Sequence, residues 1–272
     1  MHRVRANGID FAYFEEGTGP LALLVHGFPD TAHSWDQVRP AVAAAGYRAV
    51  TPFLRGYHPS SLAPDGKYDI QTLAEDVVAL VDALGEKDAI LIGHDWGAAA
   101  TYGAAAIAPE KTRKLITLAI PHPAGVPPTP SVLWGARHFF TLKLPGAAKR
   151  FRRDGFALVD HLVSRWSPAW QFGPEDTRDA KECYAHPGSG EAAVQYYKQL
   201  SPLLPPCHKK KITVPTVVFA GTQDGALKDL SLYDKAASRF TSDYEVVRMP
   251  GGHFLHREHP ERFIEELIPR LA

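Results

Sequence analysis

The sequence predicts an α/β fold: a mostly parallel, doubly wound sheet with an inserted helical segment. Three observations support this fold class. Near-continuous apolar runs suit strands that are covered on both faces, helical patterns lie between several of these runs, and a proline-bounded stretch between about residues 128 and 207 lacks strand patterns. At 272 residues and 45% hydrophobic composition, the chain can bury one large core.

The first predicted elements are two polar, alternating segments at about 2–15 that turn at Asn7-Gly8. Because Asn-Gly favours tight hairpin turns, these segments should form antiparallel edge strands. Buried strands are predicted at short runs rich in Val, Ile and Leu, which cover 21–26, 47–52, 88–93, 115–120, 214–220 and 244–249. Residues 73–84 place apolar side chains at helical spacing, and that helix should end at Gly85.

Between about residues 128 and 207 the strand patterns stop, and prolines cluster at both ends of this stretch. The stretch without strand patterns begins with Pro127-Pro128-Thr129-Pro130 and ends near Pro205-Pro206. Prolines at both ends predict the hinges of an inserted cap, because proline interrupts regular structure. The expected organisation is a first core part at 1–128, a helical cap at 129–207 and a second core part at 208–272.

Charge and cysteine content limit the class of partner. The 30 basic and 30 acidic residues cancel, so no net field attracts nucleic acid, anionic lipid or a strongly charged substrate. Cys183 and Cys207 belong to no CxxC pair or disulfide framework and are expected to be reduced. There is neither an apolar leader nor a run of about 18 apolar residues, so we expect a soluble, cytoplasmic protein without a membrane partner.

The strongest chemical signal is Gly93-His94-Asp95-Trp96-Gly97, between the strand predicted at 88–93 and the alanine-rich segment Ala98–Ala108. A strand, a tight turn with two glycines and a helix are typical of a nucleophile elbow. The exposed middle residue would be Asp95, a carboxylate. Gly-Asp pairs are also ordinary turn chemistry, so this pentapeptide alone leaves a plain turn open.

Other candidate residues follow neighbouring strands and should lie at the same edge of the sheet. After strand 21–26 comes His26-Gly27-Phe28-Pro29-Asp30. Backbone N–H groups of Phe28 and Trp96 could meet over Asp95 as an oxyanion hole. The alternative for this segment is a simple Gly-Pro turn.

Asp224 follows strand 214–220 and His253 follows strand 244–249, which gives the order nucleophile, acid, histidine. In that arrangement Asp224 would orient His253, and His253 would act as general base on water. Asp229 is the alternative acid. Taken singly, His253 could be a loop histidine and Asp224 a helix N-cap.

No metal or nucleotide cofactor is expected. His253, His256 and His259 lie close together, but their spacing matches no zinc pattern and Pro260 interrupts the face. GxGxxG and P-loop motifs are absent.

Together these segments resemble the α/β-hydrolase superfamily, specifically its epoxide hydrolase and haloalkane dehalogenase branch, over essentially the whole chain. The resemblance is carried by His26-Gly27-Phe28-Pro29, Arg55-Gly56-Tyr57, Gly93-His94-Asp95-Trp96-Gly97, Asp224 and the segment 252–260. It implies that the Asp95 carboxylate attacks a saturated carbon and forms an alkyl ester. Water activated by His253 would then hydrolyse the ester, with the oxyanion on the N–H groups of Phe28 and Trp96.

The resemblance also implies two cap tyrosines that hydrogen-bond the epoxide oxygen. Tyr197 matches the second of them, whereas His138 stands where the first is expected. A neutral imidazole keeps one N–H donor, so a His/Tyr pair can serve an epoxide oxygen, and it could also hold a halide. Against dehalogenation, Phe28 stands where haloalkane enzymes often place asparagine, and the arginines that follow the nucleophile in haloacetate dehalogenases are missing.

The expected function is opening of a small, mainly apolar epoxide to a vicinal diol, with His26, Pro29, Phe139 and Trp166 contacting the substrate. Core packing is the alternative for such aromatic side chains. Two other functions stay open: a haloalkane dehalogenase with the same nucleophile, and a non-catalytic binding protein with this fold. The expected partners are a small molecule and water, without nucleic acid, and a homodimer is possible.

Overall fold

The computed structural model describes every residue from Met1 to Ala272. Its strands are β1 (His2–Ala6), β2 (Ile9–Glu16), β3 (Leu21–Val25), β4 (Arg48–Pro52), β5 (Ala89–His94), β6 (Thr112–Leu118), β7 (Thr216–Gly221) and β8 (Tyr244–Met249). They form one sheet in the order β1-β2-β4-β3-β5-β6-β7-β8.

The sheet is mostly parallel, with an antiparallel edge. β2 pairs antiparallel with both β1 and β4, and every other neighbouring pair is parallel. Asn7 and Gly8, with φ of 42° and 78°, join β1 to β2, since a type I′ hairpin turn needs positive φ at both central residues. The predicted fold class and edge hairpin are confirmed.

Helices fill the connections between strands. They are α1 (Arg39–Ala44), α2 (Ile70–Ala83), α3 (Trp96–Ile107), α4 (Pro130–Gly135), α5 (Arg137–Lys143), α6 (Ala147–Phe151), α7 (Ala157–Trp166), α8 (Pro174–Ala185), α9 (Ser189–Lys198), α10 (Pro206–Lys209), α11 (Ser231–Lys235), α12 (Leu255–Glu258) and α13 (Pro260–Leu267). Short 3-10 helices lie at Ala32–Trp35, Pro109–Lys111, Pro123–Gly125, Arg153–Gly155, Ala236–Arg239 and Ile268–Arg270. No helix combines the length and the apolar character that crossing a bilayer requires.

Both faces of the sheet are buried. In β3, Leu21, Leu23 and Val25 pack into one core, while Ala22 and Leu24 pack into the other. Because the side chains of a strand alternate between the two faces, each face needs its own cover. Apolar side chains of α2 and α3 join the first core, and those of α1 and α13 join the second.

Helices α4 to α10 all lie between β6 and β7 in the chain, and residues 130–209 are called the helical insert below. Two hydrogen bonds from α9 tie the insert to the loop after β4. Tyr196 Oη donates to the Arg55 carbonyl at 2.8 Å, and Ser189 Oγ donates to the Gly56 carbonyl at 2.8 Å. The insert therefore packs on the carboxyl edge of the sheet.

Arg55 of the same loop forms a buried ion pair with Asp76 of α2. The side chains of Arg55 and Asp76 are only 1% and 2% exposed, and Arg55 Nη2 donates to Asp76 Oδ1 at 2.6 Å. Asn7 Nδ2 also donates to that carboxylate, at 2.7 Å. The pair thus joins helix α2 to the edge hairpin and to the loop below the insert.

We expect Asp76→Ala to lower the free energy of unfolding by about 3–5 kcal/mol, because it leaves a buried guanidinium without its counter-charge. Asp82→Ala in the same helix is the matched control. Asp82 is 54% exposed where it pairs with Lys111, so its loss should cost less than about 1 kcal/mol. Urea denaturation of both variants measures the difference, and equal losses would contradict this prediction.

Candidate active site

Asp95 lies at the turn between β5 and α3. Its φ of 51° and ψ of −115° are values that side-chain-bearing residues rarely adopt. The flanking glycines make the turn possible, because a Cβ at Gly97 would overlap the Val25 carbonyl and one at Gly93 would overlap Gly97. This sharp bend presents the Asp95 side chain above the sheet edge, as a nucleophile elbow does.

The Asp95 carboxylate is held from two sides. Its Oδ1 accepts a hydrogen bond of 2.8 Å from the Phe28 N–H, and its Oδ2 lies 3.4 Å from His253 Nε2. Burial alone would raise the pKa of Asp95, but the hydrogen bond and charge of His253, with the Phe28 N–H, bring that pKa below its ordinary value. The carboxylate is therefore ionised at neutral pH.

The loop after β3 approaches Asp95 unusually closely. A Cβ at Gly27 would lie 2.5 Å from Asp95 Cβ, so glycine is needed for the two segments to meet. The neighbouring Phe28 N–H reaches the carboxylate. The N–H of Trp96, the other group expected in an oxyanion hole, makes no hydrogen bond to Asp95. Of the two expected donors, only the Phe28 N–H therefore contacts the carboxylate.

The His253 imidazole lies between two carboxylates. Its Nδ1 is 3.0 Å from Asp224 Oδ2, while its Nε2 faces Asp95. Burial alone would lower the pKa of His253, but the charges and hydrogen bonds of Asp224 and Asp95 raise it to about 10. At neutral pH an imidazolium therefore lies beside the Asp95 carboxylate.

Asp224 is fixed by the backbone that follows it. Its Oδ1 accepts from the N–H groups of Ala226 at 2.6 Å and Leu227 at 3.2 Å, which leaves Oδ2 for His253. The alternative acid, Asp229, bonds Ser231 at the exposed surface instead. Asp224 is thus the carboxylate that faces the imidazole.

A cavity of about 310 Å³ opens over Asp95. Most of its wall is apolar and includes Phe139 and Trp166, two of the residues expected to contact substrate. The ionisable side chains in the wall are Asp95, His138 and His253. An apolar cavity with a few converging polar groups suits a small, mainly apolar ligand.

His26 and Pro29, the other two residues expected to contact substrate, do not line the cavity. The His26 ring bridges two loops: its Nδ1–H donates to the Gly27 carbonyl at 2.9 Å, and its Nε2 accepts from the Leu54 N–H at 3.0 Å. Burial lowers the pKa of His26 to about 4, so the ring is neutral. In the structure it positions the loop that carries Phe28.

The two expected cap donors, His138 and Tyr197, lie on α5 and α9. Their rings are 5.5 Å apart, and Tyr197 packs edge-on against Trp96 at 5.2 Å. His138 is in the cavity wall. Tyr197 is fully buried just behind the wall, and its hydroxyl has no hydrogen-bond partner. Burial, with the negative charge of Asp95, holds the Tyr197 pKa well above its ordinary value, so the hydroxyl keeps its proton.

Trp166, at the end of α7, was expected to contact substrate, but the sequence patterns did not predict the backbone contacts made there. The Trp166 carbonyl accepts from the N–H groups of Gly225 at 2.9 Å and His253 at 3.1 Å. Ser167 Oγ accepts from the Phe254 N–H at 3.1 Å. The insert therefore bonds directly to the loops that carry Asp224 and His253.

The three clustered histidines do not converge. His256 Nε2 lies 2.8 Å from Ser34 Oγ, away from the cavity, and His259 lies at the start of α13. No group of three or more His, Cys, Asp or Glu side chains in the protein has a geometry that could hold a metal ion.

Comparisons with known proteins identify the family and several similar chains. Residues 20–260 match the family described as alpha/beta hydrolase fold. The AB hydrolase superfamily protein YfhM of Bacillus subtilis is 30% identical over 99% of this chain and 93% of its own. Epoxide hydrolase A of Mycobacterium tuberculosis is 30% identical over 99% of this chain and 96% of its own. The solved structure of an epoxide hydrolase from Vigna radiata is 27% identical, with a TM-score of 0.82 over 99% of this chain and 97% of that one.

Proposed function

The chain belongs to the family of proteins with the alpha/beta hydrolase fold, and on that premise we propose that it is an epoxide hydrolase. The substrate would be a small, mainly apolar epoxide and the product a vicinal diol. One observation carries the proposal: an ionised Asp95 carboxylate faces an apolar cavity of about 310 Å³ and lies 3.4 Å from His253. Relatives named as epoxide hydrolases support it.

In the first step, an Asp95 oxygen attacks a ring carbon of the epoxide. The carbon–oxygen bond of the ring breaks, its electron pair goes to oxygen, and an alkyl ester forms on Asp95. The departing oxygen needs hydrogen-bond donors. His138, in the wall, and Tyr197, whose protonated hydroxyl has no other partner, would supply them.

Formation of the ester would convert His253 from acid to base. The Asp95 charge is one cause of the raised pKa of His253, and esterification removes that charge. The pKa of His253 should therefore fall, so the imidazolium can release the proton that the alkoxide takes up. The neutral imidazole is then the general base of the second step.

In the second step, water attacks the ester carbonyl and passes a proton to His253 Nε2. The tetrahedral oxyanion would be held by the Phe28 N–H, which already lies 2.8 Å from Asp95 Oδ1, together with the Trp96 N–H. On collapse, the carbon–oxygen bond to the alkyl group breaks, and the leaving alkoxide takes the proton of the new Asp95 carboxyl group. The diol is released, and Asp95 is again a carboxylate beside the imidazolium. The cycle consumes one water and needs no cofactor.

The helical insert would serve as the cap of this site. Part of the cavity wall comes from the insert: Val132 and Ala136 at α4 and its end, His138 and Phe139 on α5, and Trp166 on α7. They cover the nucleophile and exclude bulk water, which strengthens electrostatic interactions inside the cavity. The helical insert would thus select the substrate and supply the donors His138 and Tyr197, while the two core parts carry the nucleophile and the general base.

Incubation with styrene oxide and, separately, with 1-bromobutane tests the proposal. Phenylethanediol should appear with the first and no bromide with the second, and an Asp95→Ala protein prepared in parallel should give neither. Bromide release without diol formation would mean a haloalkane dehalogenase. If neither diol nor halide forms with broad panels of epoxides and haloalkanes, the protein would be a binding protein.

Asp224→Asn should lower kcat for styrene oxide by about 10⁴-fold. The asparagine oxygen would keep the N–H groups of Ala226 and Leu227, so its amide N–H would face His253 Nδ1. His253 would then carry its proton on Nε2 and could not accept one from water. Asp229→Asn is the control and should change kcat less than about twofold, as for other surface substitutions. Equal effects of the two variants would refute the assignment of Asp224.

A further inference from the structure

Arg165, at the end of α7, is an unusual guanidinium. No carboxylate is among the groups that act on its charge, and its Nε is buried without a partner. One nitrogen, Nη2, lies 3.3 Å from the Gly135 carbonyl and 3.1 Å from His138 Nδ1. Burial, with Arg137 nearby, lowers the pKa of Arg165 to about 10, so it remains a cation at neutral pH.

The contact with Arg165 determines which nitrogen of His138 carries the proton. A guanidinium offers donors and no acceptor. The N–H that points at His138 Nδ1 therefore needs a lone pair there, so the single proton of the neutral ring must be on Nε2. The Gly135 carbonyl is the one nearby group that would favour the opposite tautomer, and Arg165 already donates to it.

We propose that Arg165 is a positioning residue for His138, which it fixes as the neutral Nε2–H tautomer with its N–H donor directed to the cavity. The inference rests on the proposed epoxide hydrolysis, in which that N–H would bond the departing oxygen. His138 makes no hydrogen bond to the protein through Nε2 and lies in the cavity wall. Nothing else in the protein competes for this donor.

The surrounding charges favour a neutral ring. Burial and the positive charge of Arg165 lower the pKa of His138 to about 3, and the charge of His253 acts in the same direction. Asp95 and the Gly135 carbonyl act in the opposite direction. Tyr197 packs on the ring as an uncharged phenol.

A neutral His138 ring leaves the Asp95 carboxylate free to attack. An imidazolium at His138 would be attracted to the Asp95 carboxylate and would compete with the epoxide carbon for it. Removing Arg165 removes the main charge that keeps the ring neutral, so the pKa of His138 should rise. The variant should then lose activity as the pH falls through that higher pKa, whereas the parent should not.

The tautomer can be observed directly by ¹H–¹⁵N correlation NMR of the imidazole rings between pH 4 and pH 9. His138→Gln identifies the His138 signals by their absence. Three further proteins are compared with the parent: Arg165→Met, Arg165→Lys as the conservative replacement, and Arg137→Met as a control for loss of a nearby arginine. Arg137 donates to the Trp134 carbonyl and makes no hydrogen bond to His138.

In the parent and in Arg137→Met, His138 should show the Nε2–H tautomer and no titration over this range. In Arg165→Met, both tautomers should appear, and the pKa of His138 should rise, so that its titration becomes detectable at the acidic end of the range although burial still lowers the pKa. With styrene oxide, kcat of this variant should fall about tenfold while KM changes less than about twofold. Arg165→Lys keeps the cation and should recover most of kcat.

The proposal is overturned if parent His138 carries its proton on Nδ1 or titrates near its ordinary value, a result that needs no variant to fold. It also fails if Arg165→Met leaves tautomer and pH profile unchanged. Absence of turnover in the parent would refute the epoxide hydrolase assignment, while the NMR result would still decide the role of Arg165.

Discussion

Replacement of Asp95 by asparagine is expected to reduce diol formation by about 10⁴-fold or more, as loss of a nucleophile does in comparable sites. An amide of the same shape can keep the hydrogen bond from the Phe28 N–H, but it is a poor nucleophile toward saturated carbon. The measurement is kcat/KM for styrene oxide, with circular dichroism to show that the fold persists.

Asp95→Ala is tested in parallel, because asparagine at a strained turn can deamidate to aspartate, and activity that grows on storage would reveal this. Asp229→Asn is the matched control, since that carboxylate lies on the surface and bonds only its own loop and Lys235. If Asp95→Ala hydrolysed epoxide within tenfold of the parent, another nucleophile would be required.

His253→Gln is expected to separate the two chemical steps. Asp95 could still open the epoxide, but no base would activate water, so the alkyl ester should accumulate. Intact mass spectrometry should show an increment equal to one epoxide molecule, and peptide mapping should place it on Asp95. Steady-state turnover should fall by about 10⁴-fold or more.

The pH of the trapping experiment follows from the charges around Asp95. His253 lowers the pKa of Asp95 through its hydrogen bond and charge, so that pKa should rise in the glutamine variant. Work at about pH 8 favours the ionised carboxylate, because that pH is well above an ordinary carboxyl pKa and the Phe28 N–H still donates to Asp95 against the effect of burial. The double variant Asp95→Ala/His253→Gln is the control. An increment that persists in it would show alkylation elsewhere and defeat the ester mechanism.

The core of the fold was predictable because its signals are local. The buried strand β5, predicted at 88–93 and observed at Ala89–His94, contains a continuous apolar run, and the Asn7-Gly8 turn has a sequence signature of its own. The elbow at Asp95 was predictable for the same reason, since two glycines at fixed spacing follow a strand. Chain order then sufficed to propose Asp224 and His253 as its partners.

The remaining features depend on contacts between distant segments. His26 was expected to touch substrate, yet its ring joins the loops at Gly27 and Leu54, which no local pattern reveals. Arg165 carries no motif, and its contact with His138 joins residues 27 positions apart. The helices of the insert are at most 12 residues long, which is too short for stability in isolation, so their packing over the cavity depends on tertiary contacts rather than on propensity.

The bonds at the end of α7 restrict how a ligand can enter. Rotation of the whole insert as one rigid body would break the hydrogen bonds from Gly225 and His253 to the Trp166 carbonyl and from Phe254 to Ser167. Such a motion would remove the hydrogen bonds that hold the backbone of His253, the proposed general base, in place. Movement confined to the α4–α5 portion would leave these bonds intact, with α7 acting as a stationary wall.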